Sequence, residues 1–378
     1  MRFYFDNAAT TPIDERVLEV MIPLMRDGYG NPSSTHAHGR AVRSEIESAR
    51  KKVAQLINAT PSEIFFTSGG TEADNMALRC AVETFGYQRL ITSRIEHHAV
   101  LHTAEYLNKH GIELCFVELD SNGVVNYDHL ESLLKEDKST IVSLMHANNE
   151  IGNLTDIQKV SDLCKEYEAF FHTDTVQTMG HFEHDVKKLD LNTLAASAHK
   201  FHGPKGAGFI YVNKNKRIPA FIHGGAQERG LRGGTENVYG IVGLAKALEL
   251  SYDEMSEDRA NIEKVKTRII TRLKDEVEGV TFNGMSNNLK NSLYTVLSVN
   301  FPERMDKDML LFNLDLKGIS CSGGSACSSG AATGSHVLAE LDRNENEAAV
   351  RFSFGRFNTE EEADYLVNTI KEFDRVNA

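Results

Sequence analysis

Three reactive side chains, Lys200, Asp174 and His97, each stand at or just beyond the end of a strand-like run. Lys200 comes shortly before a rigid turn that contains glycine and proline. A lysine held at such a place can be desolvated, which lowers the pKa of its amine and makes it a nucleophile. Lys205 is the competing lysine, and we expect it to point into solvent because it lies in the turn itself. The pattern therefore favours Lys200 as the amine that forms a Schiff base.

Asp174 ends a buried-looking strand, where a carboxylate is costly without a positive partner. A protonated pyridine nitrogen is such a partner, and pyridoxal phosphate (PLP) needs an acidic group there to act as an electron sink. The alternative is that Asp174 caps the next element. The flat imidazole of His97 can stack on a pyridine ring and exchange protons, although a single histidine is more often structural. We expect the adjacent His98 to have no role in this chemistry.

A glycine-rich segment, Ser68–Glu72, follows one strand and opens a helix. Glycine lets the backbone approach an anion, and a helix N-terminus offers free N–H groups to phosphate. Thr71 adds a hydroxyl, and Ser197 and His199 can offer further donors. The alternative is an ordinary helix cap with glycine for the turn. This segment alone leaves both interpretations open.

Together these segments resemble the class V aminotransferase family of fold-type I PLP enzymes and, within it, the cysteine desulfurases of the NifS/IscS type. The resemblance runs from Phe5 to Phe357, which is almost the whole chain. The matching segments between these ends include Gly30–Ser34, Thr67–Glu72, Glu96–His97, Asn148–Gly152, Asp174–Gln177, His199–Lys200 and Arg232–Asn237. A chance match of all of them in order is not credible.

The resemblance implies how the cofactor is held. Lys200 would be the Schiff-base lysine, His97 would stack on the ring, and Asp174 would pair with the ring nitrogen. Four residues would hold the phosphate: Gly70, Thr71, Ser197 and His199. Two would lie near the phenolic oxygen of the ring: Asn149 and Gln177. The family also implies a homodimer, in which Thr235 reaches the phosphate of the neighbouring subunit.

The substrate side of the site is implied in the same way. Arg351 resembles the arginine that binds the substrate carboxylate, with Asn149 beside it, and a guanidinium suits this task because it makes a bidentate pair. A surface ion pair is the alternative for Arg351. Cys327 lies in Ser322–Gly330, which resembles the active-site cysteine loop of the family. Cys321, six residues upstream, receives sulfur, traps it or is inert.

We therefore predict a PLP-dependent cysteine desulfurase that removes sulfur from L-cysteine to give L-alanine and a persulfide on Cys327. The sulfur would pass to an acceptor protein, such as an iron–sulfur scaffold. No intrinsic metal site is expected, because the two loop cysteines lack zinc-like spacing, but Cys327 could ligate an iron–sulfur cluster transiently. The alternatives are a selenocysteine lyase, another class V PLP enzyme or, less favoured, a non-catalytic sulfur-transfer scaffold.

The elements that position these residues alternate between strand-like and helical patterns over the first two-thirds of the chain, which predicts a mostly parallel sheet. Ligands bind beyond the carboxyl ends of the strands in such sheets. The 378 residues exceed the roughly 250–300 that one core supports. We predict the fold of fold-type I PLP-dependent transferases, with a large PLP-binding domain (13–255) built on a seven-stranded sheet. A smaller α+β domain (1–12 and 256–378) would carry the cysteine loop at about 320–335.

Charge and hydropathy exclude several classes of protein. The formal net charge is −13 at pH 7 and basic residues do not cluster, which argues against direct nucleic-acid binding. No apolar run approaches the roughly 18 residues of a membrane helix, and no signal peptide is visible, so we predict a cytoplasmic protein. The resemblance implies that housekeeping IscS-type members dock their scaffold through a longer C-terminal tail. Because the given sequence ends soon after the expected closing helix, we expect a closer resemblance to the shorter NifS-like members.

Overall fold

The structure is a computed structural model that describes residues 2–323 and 334–377. The strands of this part of the chain are β1 (Phe3–Tyr4), β2 (Ile64–Thr67), β3 (Arg89–Thr92), β4 (Glu113–Phe116), β5 (Thr140–Ser143), β6 (Phe170–Asp174), β7 (Thr193–Ser197), β8 (Gly208–Val212), β9 (Thr281–Phe282), β10 (Val296–Phe301), β11 (Ile319–Ser320) and β12 (Ala348–Ser353). The helices are α1 (Glu15–Asp27), α2 (Ala37–Leu56), α3 (Gly70–Phe85), α4 (His98–Lys109), α5 (Tyr127–Leu134), α6 (Ile157–Glu166), α7 (Val238–Asp253), α8 (Met255–Glu276), α9 (Leu310–Leu316), α10 (His336–Ala339) and α11 (Glu360–Asn377).

The main sheet has seven strands in the order β2-β8-β7-β6-β5-β3-β4. Strand β8 runs antiparallel to its neighbours β2 and β7, and the other pairs are parallel. Every residue of β3, β5, β6 and β7 is buried, as expected for parallel strands covered by helices on both faces. The predicted mostly parallel seven-stranded sheet is confirmed.

Helices cover both faces of this sheet. The largest hydrophobic cluster joins α1, α2 and α7 to one face, through residues such as Val17, Val53 and Leu244. A second cluster packs α3 on the opposite face, with Met76 against Ile210. These layers hold the strand ends at one edge of the sheet, which is where the predicted site residues were expected.

A separate cluster forms around the antiparallel sheet β12-β10-β9. It buries residues of α8 and α11 against this sheet, and Phe5 from the N-terminal segment belongs to it. The division into a large domain (13–255) and a smaller domain (1–12 and 256–378) stays a prediction. The separation of the two hydrophobic clusters supports it. Over residues 2–323 and 334–377, none of the helices combines the length and the apolar character that crossing a bilayer requires.

Candidate active site

A cavity of about 370 Å³ opens at the carboxyl ends of the central strands. Ten of the predicted site residues line it: Gly70, Thr71, His97, Asn149, Asp174, Gln177, Ser197, His199, Lys200 and Arg351. A larger cavity of about 760 Å³ is lined by residues such as His146, His184 and Tyr252, and none of the predicted site residues that the structure describes lines it. The chemistry of the smaller cavity therefore decides which ligand it can hold.

Lys200 ends a short 3₁₀ turn, Ala198–Lys200, that directly follows β7. Its Nζ donates hydrogen bonds to the main-chain oxygens of Ala8 (2.6 Å) and Ala9 (2.8 Å). The N-terminal segment therefore forms the wall against which this amine rests. Lys205, the competing lysine, is exposed and does not line the cavity.

Asp174 is the last residue of β6 and is 6% exposed. Its Oδ1 accepts a hydrogen bond from the main-chain N–H of Val176 at 2.7 Å. Burial, together with the nearby carboxyl of Asp74, raises the pKa of Asp174 to about 8. A buried acid of this kind is stabilised in its charged form by a cation, and a protonated pyridine nitrogen is one.

His97 is the N-cap of α4, and its Nδ1 accepts from the main-chain N–H of Ala99 at 3.1 Å. Burial lowers the pKa of His97 to about 4, and the positive charge of Lys200 acts in the same direction. The ring is therefore neutral near pH 7, and its one proton is on Nε2 because Nδ1 is an acceptor. This leaves a flat neutral ring with one N–H donor in the cavity wall.

The first turn of α3 provides a cradle for an anion. Among the described residues, no side chain caps this helix, so N–H groups of its first turn are available to a ligand. A Cβ atom at Gly70 would lie 2.5 Å from Cγ2 of Val176, so no other residue type fits here without a shift. Ser197 and His199 line the same cavity, and Nδ1 of His199 lies 3.2 Å from Oγ1 of Thr10.

Arg351 lies on β12, outside the main sheet, and is 2% exposed. One of its terminal nitrogens is 3.0 Å from Oδ1 of Asp6, and the other donates to the main-chain oxygen of Asn149 at 2.9 Å. The alternative of a surface ion pair is wrong, because the guanidinium is buried in the cavity wall. Gln177 is also held in this wall, where its amide donates to the oxygen of Ala8 at 3.1 Å.

Two predicted site residues do not join this cavity in the described residues. Thr235 is exposed and borders a separate cavity of about 130 Å³. Cys327 lies outside the described residues, together with most of the predicted cysteine loop. Ser322, at the start of the predicted loop, is held beside the cavity, because its Oγ donates to Oδ1 of Asp6 at 2.8 Å.

Among the described residues, the sequence interpretation missed eight that line the cavity: Ala8, Ala9, Asp74, His98, Met145, Glu150, Val176 and His336. His98, which was expected to have no role, is among them, and the centroid of its ring lies 4.4 Å from that of His336. The spacing of Gly70 and Asp74, one helical turn apart, was a usable signal for Asp74. Nothing in the local sequence pointed to His336.

The Aminotransferase class-V family profile matches residues 3–366, nearly the whole chain. The chain belongs to the aminotransferase class-V family. This confirms the resemblance, and membership in this family implies PLP. A cysteine desulfurase IscS of Dictyoglomus turgidum (strain DSM 6724 / Z-1310) is 42% identical to this family member over 375 residues, covering 97% of this chain and 93% of the relative.

Solved structures agree with this assignment to the class-V family. A NifS-like protein superposes with a TM-score of 0.91 at 42% identity, with 100% of both chains covered. A structure described as SspA in complex with cysteine has a TM-score of 0.81 at 31% identity, covering 95% of this chain and 100% of the other. The fold-type I architecture is thereby confirmed for this class-V chain.

The residues of the cavity fit PLP by their chemistry. The cradle at Gly70 suits a phosphate, the buried acid Asp174 suits a pyridinium, and the amine of Lys200 suits an aldehyde. Each of these features is a property of the described side chains and backbone.

Proposed function

We propose that this chain is a PLP-dependent cysteine desulfurase, which converts L-cysteine to L-alanine and takes the sulfur on Cys327. One observation carries the proposal. A single cavity contains the amine of Lys200, the buried acid Asp174, the anion cradle at Gly70 and the buried guanidinium of Arg351. The class-V membership and the cysteine desulfurase names of the relatives support the same activity.

The cofactor would be held by residues on several elements and loops at this edge of the sheet. Lys200 would bind the aldehyde as a Schiff base, Asp174 would face the ring nitrogen, and His97 would lie on the ring. The phosphate would be held by Gly70, Thr71, Ser197 and His199. The phenolic oxygen would lie near Asn149 and Gln177. Bound PLP supplies an electron sink that accepts negative charge from the substrate Cα.

The side chains of the cavity would divide the remaining work. Arg351 would bind the substrate carboxylate, which fixes the Cα atom in the cavity. The amine of Lys200, once released from the cofactor, would accept the proton from Cα. Nε2–H of the neutral His97 ring would donate a hydrogen bond from the wall. Burial of these groups excludes water from the reacting atoms.

The sulfur transfer would follow at Cys327. Its thiolate attacks the sulfur of the substrate, a sulfur–sulfur bond forms, and the carbon–sulfur bond breaks. The electron pair of the broken bond stays on carbon and takes a proton. One L-cysteine and one thiol therefore give one L-alanine and one persulfide, with no external oxidant. The thiolate is the reactive form, so Cys327 needs a base or a lowered pKa.

Several parts of the proposal concern partners. The persulfide would pass to an acceptor protein such as an iron–sulfur scaffold, and the enzyme would act as a homodimer in which Thr235 reaches the partner's phosphate site. The exposure of Thr235 supports this, because an exposed side chain is available to a second copy. The cytoplasmic location and a transient iron–sulfur ligand at Cys327 stay predictions.

The test compares the wild-type chain with Cys327→Ser after both are loaded with PLP and given L-cysteine and a thiol reductant. Wild type should release alanine and sulfide in equal amounts. Cys327→Ser should keep the PLP absorbance and lose at least about 100-fold in sulfide release, because the weakly acidic serine hydroxyl cannot replace a thiolate. Normal turnover by the variant would point to selenocysteine lyase chemistry or to another thiol. Transamination without sulfide would reject the proposal.

A further inference from the structure

A second buried acid lies close to Asp174 in the same cavity. Asp74 stands on α3 one turn after Gly70 and is 1% exposed. His172 precedes Asp174 by two residues on β6, so both side chains lie on one face of that strand. Oδ1 of Asp74 lies 3.2 Å from Nε2 of the fully buried His172. Nδ1 of the same ring lies 3.0 Å from Oγ1 of Thr193.

This arrangement raises a question of charge. Glu96, 1% exposed, is a third acid whose pKa is raised by burial and by the charges of Asp174 and Asp74. The negative charges of these buried acids raise the pKa of Glu96 and of Asp174, and buried carboxyl groups that interact in this way share protons. The cofactor ring nitrogen requires one negative charge, and that charge belongs on Asp174. A second negative charge directly beside it would be unfavourable.

We propose that Asp74 is a positioning residue that stays protonated and donates its hydrogen bond to Nε2 of His172, so that Asp174 alone presents a negative charge to the ring nitrogen. This inference rests on the proposed function and deepens it. Nδ1–H of His172 then donates to Oγ1 of Thr193. The resulting chain of neutral hydrogen bonds joins α3, β6 and β7.

The surroundings of Asp74 favour the neutral form. Burial raises the pKa of Asp74 to about 8 and lowers that of His172 to about 4. The titratable groups around the pair are Asp174 on β6, Glu96 from the turn before α4, and Lys200 after β7, whose charge lowers the pKa of Asp174. Burial therefore favours the uncharged forms of both Asp74 and His172 at pH 7. Burial raises the pKa of Asp174 to about 8 as well, and the ring nitrogen that would face Asp174 would stabilise its charged form.

The pair also has a geometric consequence. Helix α3 begins at Gly70 with the anion cradle, and β6 ends at Asp174, the partner of the ring nitrogen. The hydrogen bond between Asp74 and His172 connects these two elements. Asp74 lies one helical turn after Gly70, and His172 lies two residues before Asp174. This bond therefore links the element that provides the place for the phosphate to the element that provides the partner of the ring nitrogen.

Infrared spectroscopy tests the protonation state directly on the full chain loaded with PLP. The difference spectrum between wild type and Asp74→Asn at pH 7 should contain the carbonyl band of a protonated carboxyl group. A carboxylate band in its place would overturn the proposal. Asn is isosteric with the neutral acid, so a variant that does not fold would count against the proposal as well.

The absorbance of the Lys200-bound cofactor gives a second readout. Asp74→Asn should leave the pKa of this chromophore within about 0.3 unit and the PLP dissociation constant within about twofold, because no charge is removed. Asp74→Ala leaves Nε2 of His172 unpaired, so PLP should bind about tenfold more weakly. If Asp74 were ionised, Asp74→Asn would lower the chromophore pKa by about one unit.

Asp174→Asn is the matched control, since it removes the negative charge assigned to the ring nitrogen and should weaken PLP binding more than either Asp74 variant. Wild type that takes up no PLP would reject the proposed function itself. Wild type that binds PLP, with a shifted chromophore in Asp74→Asn, would reject only the inference about Asp74.

Discussion

At the scale of single residues, burial explains most of the unusual chemistry. It raises the pKa of Asp174 to about 8 and lowers that of His97 to about 4. It also keeps Arg351 out of solvent, with Asp6 as its ion-pair partner. Asp174 and His97 each accept a hydrogen bond from one main-chain N–H, and Arg351 contacts both Asp6 and the main-chain oxygen of Asn149. All three side chains line the cavity, which therefore suits an anionic, amine-bearing substrate.

Cys321 provides a prediction at this scale. Burial, together with the charge of Asp6, raises the pKa of the Cys321 thiol, and a thiol that stays protonated is a poor nucleophile. Cys321→Ala should therefore keep alanine formation from L-cysteine within about twofold of wild type. The rate is measured alongside the melting temperature, since the side chain packs against the smaller core. A tenfold lower rate in a folded variant would show that Cys321 takes part in the reaction.

Single residues also show what a sequence can predict about a site. Lys200 and Asp174 could be identified because each stands where a strand ends, and strand ends follow from local patterns. Glu150 and His336 could not, because long-range contacts place them. Oγ of Ser335 bonds to Glu150 across 185 positions, and His336 bonds to the main-chain oxygen of Glu96 across 240.

At the scale of elements, patterns of apolar residues account for most helices and strands. Helix α2 can be predicted from its sequence, because Val42, Ile46, Ala49 and Val53 repeat on one buried face. The two-residue strands β1, β9 and β11 could not be predicted, because pairing with distant strands creates them. The fully buried pair of Arg50 and Glu228, at 2.7 Å, likewise joins α2 to a distant loop.

Helix α8 carries a buried lysine that makes stability depend on pH. Lys266 is fully buried, and its Nζ donates to the main-chain oxygen of Leu293 at 3.0 Å and to Oγ of Ser292 at 3.3 Å. Burial lowers the pKa of Lys266 from 10.5 to about 7. Between these values the unfolded chain binds more protons than the folded one. Stability therefore rises with pH across this window.

Chemical unfolding of wild type and Lys266→Met between pH 7 and 10 checks this effect. Lys266 should add up to about 1.4 kcal/mol per pH unit to the slope of the unfolding free energy of wild type. The variant lacks this group, so its slope should be smaller by that amount, and its stability at pH 7 should be equal or higher. Equal slopes in both proteins would show that the amine does not titrate in this range.

At the scale of the whole molecule, the site lies where two hydrophobic cores meet. Asp174 extends from the main sheet, and Arg351 extends from the smaller one into the same cavity. Arg356 connects the same two regions, with a nitrogen 2.7 Å from Glu254 and another 2.8 Å from Asp258. The fold class could be predicted from the alternation of elements, but which side chains meet across the two cores depends on their packing.

The most direct test of the central claim is to reduce the PLP-loaded chain with borohydride and to locate the modified lysine by peptide mass spectrometry. The account predicts the reduced cofactor on Lys200, no label and no chromophore in Lys200→Ala, and normal labelling in Lys205→Ala, which changes only an exposed side chain. A label on another lysine, or a wild-type chain that takes up no PLP, would contradict it.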